Sequence, residues 1–315
     1  MQRRTFLQTS SLGLAGIGLG NTPLGATATT QNADRAFKIS LKADAIGVSG
    51  PIVNLLEPVV AMGYESLAMP SEELIAMSGS QLQDLKLRAD GIGLSWGSAG
   101  LPIQFREDEA RFQADLEALP QHARAMQTIG IERVGTWIMP CNEERDFSVN
   151  FALHASRLRQ VAAVLVDYNI RLGLEYVAPR TLRNAKRYAF IDNGKQLKEL
   201  IKAIGQPNVG VVLDSFHWYC AEESVNDLHI WDNSSIVAVD LNDADRNLGP
   251  REQIDGNREL PGATGQIDIA AFVGFLDQIS YDGPVRAEPF NSTLNAMRDE
   301  LAMQATIEAI KSVIG

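Results

Sequence analysis

The sequence predicts an α/β fold of the (β/α)8 TIM-barrel class in a single large domain, and three observations carry that prediction. After residue 36, short β-rich runs alternate with longer stretches of helical periodicity, and eight such units can be counted. No linker, internal repeat or low-complexity run interrupts residues 30–315. Four acidic residues, Glu175, Asp214, Asp240 and Glu288, each sit at or just beyond the C-terminal end of an apolar run, where parallel α/β folds place their chemistry.

Taken in chain order, the first strand is expected over Phe37–Lys42, followed by a helical stretch over Gly50–Met62. Ser66–Met69 and Gly91–Trp96 form the next strands, separated by a helix over Ser80–Ala89. Glu107–Gly130 is the third helical stretch, Arg133–Ile138 the fourth strand, and Phe151–Asn169 the helix after it. Arg171–Tyr176, Val209–Asp214 and Ile236–Leu241 are the fifth to seventh strands, with a helix over Gly194–Ile204 between the first two. Pro261-Gly-Ala-Thr-Gly265 is a loop ahead of a helix over Ile269–Ile279, and Tyr281-Asp-Gly-Pro284 turns into the last strand, Pro284–Glu288. A doubly wound open sheet shares this alternation. It would ordinarily carry a glycine-rich phosphate loop between strand and helix, and no G-x-G-x-x-G or G-x-x-x-x-G-K motif stands in such a place.

The N-terminus is set apart from the barrel. Arg3-Arg4 is a twin-arginine pattern, followed by a weakly apolar run over residues 11–20 and a small-residue site at Ala26-Thr27-Ala28. Residues 1–28 are therefore expected to be a twin-arginine export signal and residues 29–315 the barrel, with the mature chain delivered to the periplasm or another extracytoplasmic space. The apolar run falls far short of the roughly 20 residues that a membrane span needs. Losing Arg3 and Arg4 takes the net charge from −11 to −13. Nucleic acid is excluded as a partner on that balance, because counterion release needs a basic face and the lysines and arginines are scattered. Cys141 and Cys220 follow different strand ends, and the sequence leaves open whether they pair or stay free.

Four carboxylates converging on one mouth would repel one another unless a cation neutralised them. A donor set of hard oxygens with no thiolate favours Mg²⁺ or Mn²⁺ over zinc. Against this stands the plainer reading that one or two of the acids cap the following helices or pair with arginines.

The runs Leu174-Glu175, Leu213-Asp214-Ser-Phe-His217, Val239-Asp240-Leu-Asn-Asp243, Leu260-Pro-Gly-Ala-Thr-Gly-Gln-Ile-Asp268 and Tyr281-Asp-Gly-Pro-Val-Arg-Ala-Glu288 resemble the xylose-isomerase-like TIM-barrel superfamily of sugar isomerases and epimerases. The resemblance is carried by the C-terminal half. It implies that Glu175, Asp214, Asp240 and Glu288 bind the divalent metal, and that His217 and Arg246 hold substrate oxygens. Two departures stand out. The position of Asp240 is usually histidine in the epimerase branch, and a glutamate found there six residues after Glu175 is replaced by Thr181.

The chemistry that the resemblance implies is proton abstraction next to a carbonyl, with the metal stabilising the enediolate and Glu175 and Glu288 serving as base and acid. The same site serves epimerisation, isomerisation or elimination. Trp96 and Trp137 end the third and fourth strands, where an aromatic ring can wall a sugar site or pack against the rim. Lys42 ends the first strand, with the mouth and the solvent both open to it. His122, His154 and His229 read as surface residues, and Glu222-Glu223 as a solvated loop. Export and the absence of a phosphate loop point to an unphosphorylated sugar, keto-sugar, glycoside or cyclitol as the small-molecule partner. A lyase or hydrolase of keto-glycosides, a cyclitol dehydratase and a non-catalytic sugar-binding barrel are the alternatives. Barrels of this family often form dimers or tetramers, and no sequence feature marks an interface.

Overall fold

Eight parallel strands are found where eight were expected, and one of them is broken. The computed structural model describes residues 35–315, so the expected export signal lies outside the described residues. Apart from a separate antiparallel pair, Cys141–Asn142 with Tyr188–Ala189, the strands among the described residues form one sheet: β1 (Lys38–Leu41), β2 (Ser66–Leu67), β3 in two segments (Ser95–Trp96 and Ala99–Gly100), β4 (Arg133–Ile138), β5 (Arg171–Tyr176), β6 (Val209–Asp214), β7 (Ile236–Asp240) and β8 (Pro284–Arg286). Their order around the sheet follows the sequence, every pairing is parallel, and β1 pairs with β8 through Lys38 and Pro284. The first segment of β3 pairs with β2, Leu67 opposite Trp96, and the second pairs with β4, Gly100 opposite Gly135. The two segments are one strand interrupted at Gly97-Ser98, so the ring closes. A side chain at position 97 would lie 2.5 Å from Ser40 Oγ, which is why glycine stands at the break.

The expected third strand, Gly91–Trp96, is thus displaced toward the C-terminus. Gly91 still belongs to the preceding helix, α2 (Gly79–Gly91), and Gly93 at φ +72° makes the turn that releases the chain into β3. The larger helices on the outside are α1 (Leu56–Met62), α2, α3 (Glu109–Ile129), α4 (Phe147–Val166), α5 (Gly194–Ile204), α6 (Ser215–Cys220), α7 (Ile269–Gln278) and α8 (Asp299–Ile314). The helix expected over Phe151–Asn169 begins a turn earlier, at Phe147, because the Asp146 carboxylate accepts from the Val149 amide and caps it.

Inside the ring, large side chains meet glycines. A Cβ at Gly173 would stand 2.7 Å from Val212 and 2.9 Å from Val237, so those valines fill the barrel centre only because β5 offers no side chain there. His154, expected at the surface, is buried on α4 between the rings of Phe105 and Phe190, with centroids 5.4 and 4.9 Å away, and its Nδ1 meets the Asn150 carbonyl at 2.8 Å. Burial holds its imidazole down to a pKa of about 4. Cys141 and Cys220 are both buried and free.

Candidate active site

The four acids do converge. Glu175 on β5, Asp214 ending β6, Asp240 ending β7 and Glu288 two residues past β8 each bring one carboxylate oxygen within 4.8 Å of the others, and His217 forms a second such group with Glu175 and Asp214. Strand register explains the convergence. Asp240 is paired with Asp214 on one side and with Arg286 on the other, so three neighbouring strands bring these side chains to one level of the barrel.

The protein supplies cations of its own against the repulsion, so the pairing of acids with arginines that the sequence left open is found together with the clustering. Arg258, from the loop ahead of Leu260, donates to Asp214 Oδ2 at 2.8 Å and to Asp255 Oδ1 at 2.8 Å, and lies 3.6 Å from Glu288 Oε2. Its guanidinium is held between the rings of Phe216 and Phe290, 4.8 and 4.9 Å from their centroids. Burial works against its charge, but Asp214, Asp255, Glu288 and Glu175 together raise it above the ordinary arginine range. Arg286 takes Asp240 in a two-pronged pair, 2.6 Å to Oδ1 and 3.1 Å to Oδ2. Lys42 reaches the mouth and bridges Asp44 at 2.9 Å and Glu288 at 3.2 Å. Arg258 and Lys42 are shared with Asp255 and Asp44, so these three cations face six carboxylates and the site keeps a formal excess of negative charge.

The surroundings differ from acid to acid. Asp214 is saturated: Oδ1 accepts from the Phe216 amide at 2.6 Å, capping α6, and the Asn242 side chain reaches both oxygens at 3.1–3.2 Å. Capping and clustering are thus both true of this residue. Burial, partly offset by Arg258, lifts its pKa to about 7. Glu175 is the opposite case. Its Oε1 is buried and has no hydrogen-bond partner among the described residues. Burial first, then Glu288, Asp214 and Asp240, drive it well above the ordinary carboxylate range. An orphaned carboxylate oxygen, a residual negative charge and four hard-oxygen donors within reach of one point together fit a small divalent cation.

A cavity of about 350 Å³ opens beside the cluster, toward β1–β4. Of the four acids only Glu175 and Glu288 line it, together with Lys42, Arg286, Thr136 and Trp137. Asp214 and Asp240, each 1% exposed, stand behind them. Among the expected substrate contacts, Trp137 lines the cavity with half its surface exposed. Trp96 is half-buried against the core and outside the cavity wall, Arg246 is exposed and away from it, and His217 is fully buried. His217 Nε2 is 3.8 Å from Glu175 Oε1 and 3.3 Å from Arg258 Nη2, and burial holds it well below the ordinary histidine range, as a neutral ring. It supports the cluster from behind. Thr181, in place of the second glutamate, donates to the Gln253 carbonyl at 2.7 Å and ties the Arg258 loop down.

Two further residues that the sequence passed over fix the strand ends. Asn242 donates to Asp214 and accepts from the Glu288 amide at 2.8 Å, joining the ends of β6 and β8. Asp243 accepts from four backbone amides, those of Ala244, Thr264, Gly265 and Ile267, at 2.8–3.1 Å, and so holds the Pro261–Gly265 loop.

A model of the xylose isomerase-like TIM barrel matches residues 56–313. The chain belongs to that family. Among family relatives, a 3-dehydroshikimate dehydratase from Pseudomonas aeruginosa is 26% identical over 80% of this chain, which spans 38% of that protein's length. An inosose isomerase from Halalkalibacterium halodurans is 24% identical over 50% of the chain and 52% of its own length. Among solved structures, a xylose isomerase domain protein from Alicyclobacillus acidocaldarius superposes with a TM-score of 0.79 at 31% identity, covering 89% of this chain and 98% of that one. The IOLI protein, solved with a bound zinc atom, gives 0.74 at 20% identity over 88% and 98%. The xylose isomerase-like fold expected from the C-terminal motifs therefore extends across the barrel, including the half whose sequence carried only the βα rhythm.

Proposed function

We propose that this xylose isomerase-like barrel is a divalent-metal-dependent isomerase or epimerase of an unphosphorylated sugar, keto-sugar or cyclitol, acting by removal of the proton next to a carbonyl. One observation carries the reading: Glu175 and Glu288 are the two acids of the cluster that line the cavity, and the buried Oε1 of Glu175 has no hydrogen-bond partner among the described residues. Glu175, Asp214, Asp240 and Glu288 would hold the metal, Mn²⁺ or Mg²⁺ in preference to Zn²⁺, and when bound it supplies Lewis-acid polarisation of the substrate carbonyl and its neighbouring hydroxyl. Glu175 accepts the proton from one side. Glu288, tethered by Lys42 and Arg258, returns one from the other. Trp137 offers a flat apolar face to the ring. The twin-arginine leader read at Arg3-Arg4 supports export, and with it an unphosphorylated substrate outside the cytoplasm.

Elimination of water is the second reading, and Lys42 favours it. Its ammonium stands in the cavity 3.2 Å from Glu288, where it can stabilise a departing hydroxyl. The dehydratase relative also aligns over more of this chain than the inosose isomerase does.

The test is deuterium exchange in heavy water, with Mn²⁺ or Mg²⁺ supplied, against neutral ketoses, inososes and cyclic hydroxyketones, the products followed by mass and absorbance. Label at the carbon next to the carbonyl, lost in Glu175→Gln, supports the proton-abstraction reading. Formation of an unsaturated product selects elimination, and binding without exchange would leave a sugar-binding barrel.

A further inference from the structure

Arg286 stands in an unusual place for a cation. It is the register partner of Asp240 across β7 and β8, and both side chains are buried at the level of the acid cluster. Its fork takes both oxygens of Asp240, and its Nη1 reaches the Ser98 carbonyl at 3.3 Å, where the break in β3 leaves that group unpaired with a neighbouring strand. No other acid of the cluster has both oxygens held by a single arginine. Asp214 divides its oxygens among Arg258, Asn242 and a backbone amide, Glu288 has only the longer contacts to Lys42 and Arg258, and Glu175 Oε1 is free.

We propose that Arg286 is an internal competitor for the cation site: it occupies the Asp240 carboxylate and places a fixed positive charge beside the remaining ligands, so that this protein binds its divalent ion more weakly than its four acids would by themselves. This rests on the reading of the acid cluster as a metal site. A guanidinium in a buried setting repels a divalent ion over several ångströms with little screening, and a ligand oxygen already bonded by a strong donor gives up electron density to it. Asp240 and Arg286 then act as a neutral unit. The extra negative charge at position 240 is cancelled by the neighbouring strand before it reaches the ion, which leaves Glu175, Asp214 and Glu288 as the ligands that set affinity.

A competitor and an ordinary supporting residue differ in the sign of the effect of removing them. Removing the partner that orients a metal ligand commonly weakens binding by about 10- to 100-fold. Removing Arg286 should strengthen it by a similar factor. The measurement is Mn²⁺ binding to the folded protein, read from the loss of the free-ion electron paramagnetic resonance signal and by calorimetry, with circular dichroism as the folding control. Arg286→Met and the more conservative Arg286→Gln are expected to bind Mn²⁺ about 10- to 100-fold tighter than the unmodified protein. The double variant Asp240→Asn with Arg286→Met, which removes the pair together, should stay within a few-fold of it. Equal or weaker binding by a folded Arg286→Met or Arg286→Gln overturns the proposal. If both single variants fail to fold, a double variant that loses Mn²⁺ as completely as Asp214→Ala overturns it instead, and one that keeps it supports the neutral unit. Mn²⁺ taken up by Arg286→Met but not by the unmodified protein would uphold the competitor and remove metal dependence from the proposed function; no uptake by either overturns the proposal.

Discussion

The two sides of the barrel are built to opposite specifications. On the β5–β8 side, strands β5 and β6 run to six residues and β7 to five, with only β8 short at three, the acids stand at or just past their ends, and nearly every polar atom there is matched by an arginine, an asparagine or a backbone amide. On the β1–β3 side, β2 and each segment of β3 are only two residues long, one strand is broken, and the cavity opens between Ser71 and Ser98 there and Thr136 and Trp137 on β4. The long-stranded side fixes charge in place, since small displacements of buried ions are costly. The short-stranded side leaves room, and so governs what enters. Lys42 lines the cavity from this side, and Trp137 lines it from the neighbouring β4.

That contrast can be broken at chosen points. The largest effect is expected at the meeting of the two sides: Glu175→Gln should lower the rate of α-proton exchange by at least about 10³-fold with the fold intact by circular dichroism, and exchange within tenfold of the unmodified protein would remove Glu175 as the base. On the charged side, Arg258→Met leaves Asp214, Asp255 and Glu288 without their shared partner. We expect it to cost about 3–5 kcal/mol in urea unfolding, with part recovered in Asp214→Asn combined with Arg258→Met. An unchanged unfolding midpoint would mean that water or a bound ion already does the work assigned to Arg258. On the open side, Lys42→Met should reduce kcat by about 10²-fold with little change in KM, and Lys42→Arg should restore part of it. A change in KM alone would assign Lys42 to substrate binding.

His154, on the outer helix α4, tests the scaffold and not the site. Its pKa is near 4 in the folded protein against the ordinary 6.5, so as pH falls below 6.5 the unfolded chain takes up the proton first and stability is lost down to about pH 4. At pH 5 that amounts to about 2 kcal/mol. Urea titrations at pH 7.5 and 5.0 should show this drop in the unmodified protein and a drop smaller by about that amount in His154→Gln; equal drops would assign the acid sensitivity elsewhere. The smallest effect is reserved for Trp137→Ala, worth about 1 kcal/mol, or several-fold in KM, if its ring only flanks the sugar.

The charged side was the legible one. Glu175, Asp214, Asp240 and Glu288 announce themselves because each closes an apolar run, and a carboxylate there has nowhere to go but the mouth. Arg286 was equally visible in principle: it lies two residues before Glu288 in Pro284-Val-Arg-Ala-Glu288, and alternation points both side chains to the same face. Arg258 was not visible. It comes from an irregular loop with no period, and only the tertiary fold brings it to Asp214. Arg246, chosen by resemblance for a substrate-holding role, stays exposed, and the buried cation comes from twelve residues further on. The broken β3 could not be read because its segments are too short to show alternation. His154 was misplaced because a lone histidine on a helix gives no sign of which side it faces until the neighbouring rings are known.

Asp243 sets a boundary on how this barrel can change. By drawing four amides of the Ala244 and Thr264–Ile267 segments onto one carboxylate, it makes the loop after β7 a fixed rim, intolerant of insertion or shortening. New specificities, whether reached by evolution or by directed libraries, should therefore arise by resculpting the opposite rim at Ser71, Glu72 and Trp137, while the chemistry underneath is inherited unchanged.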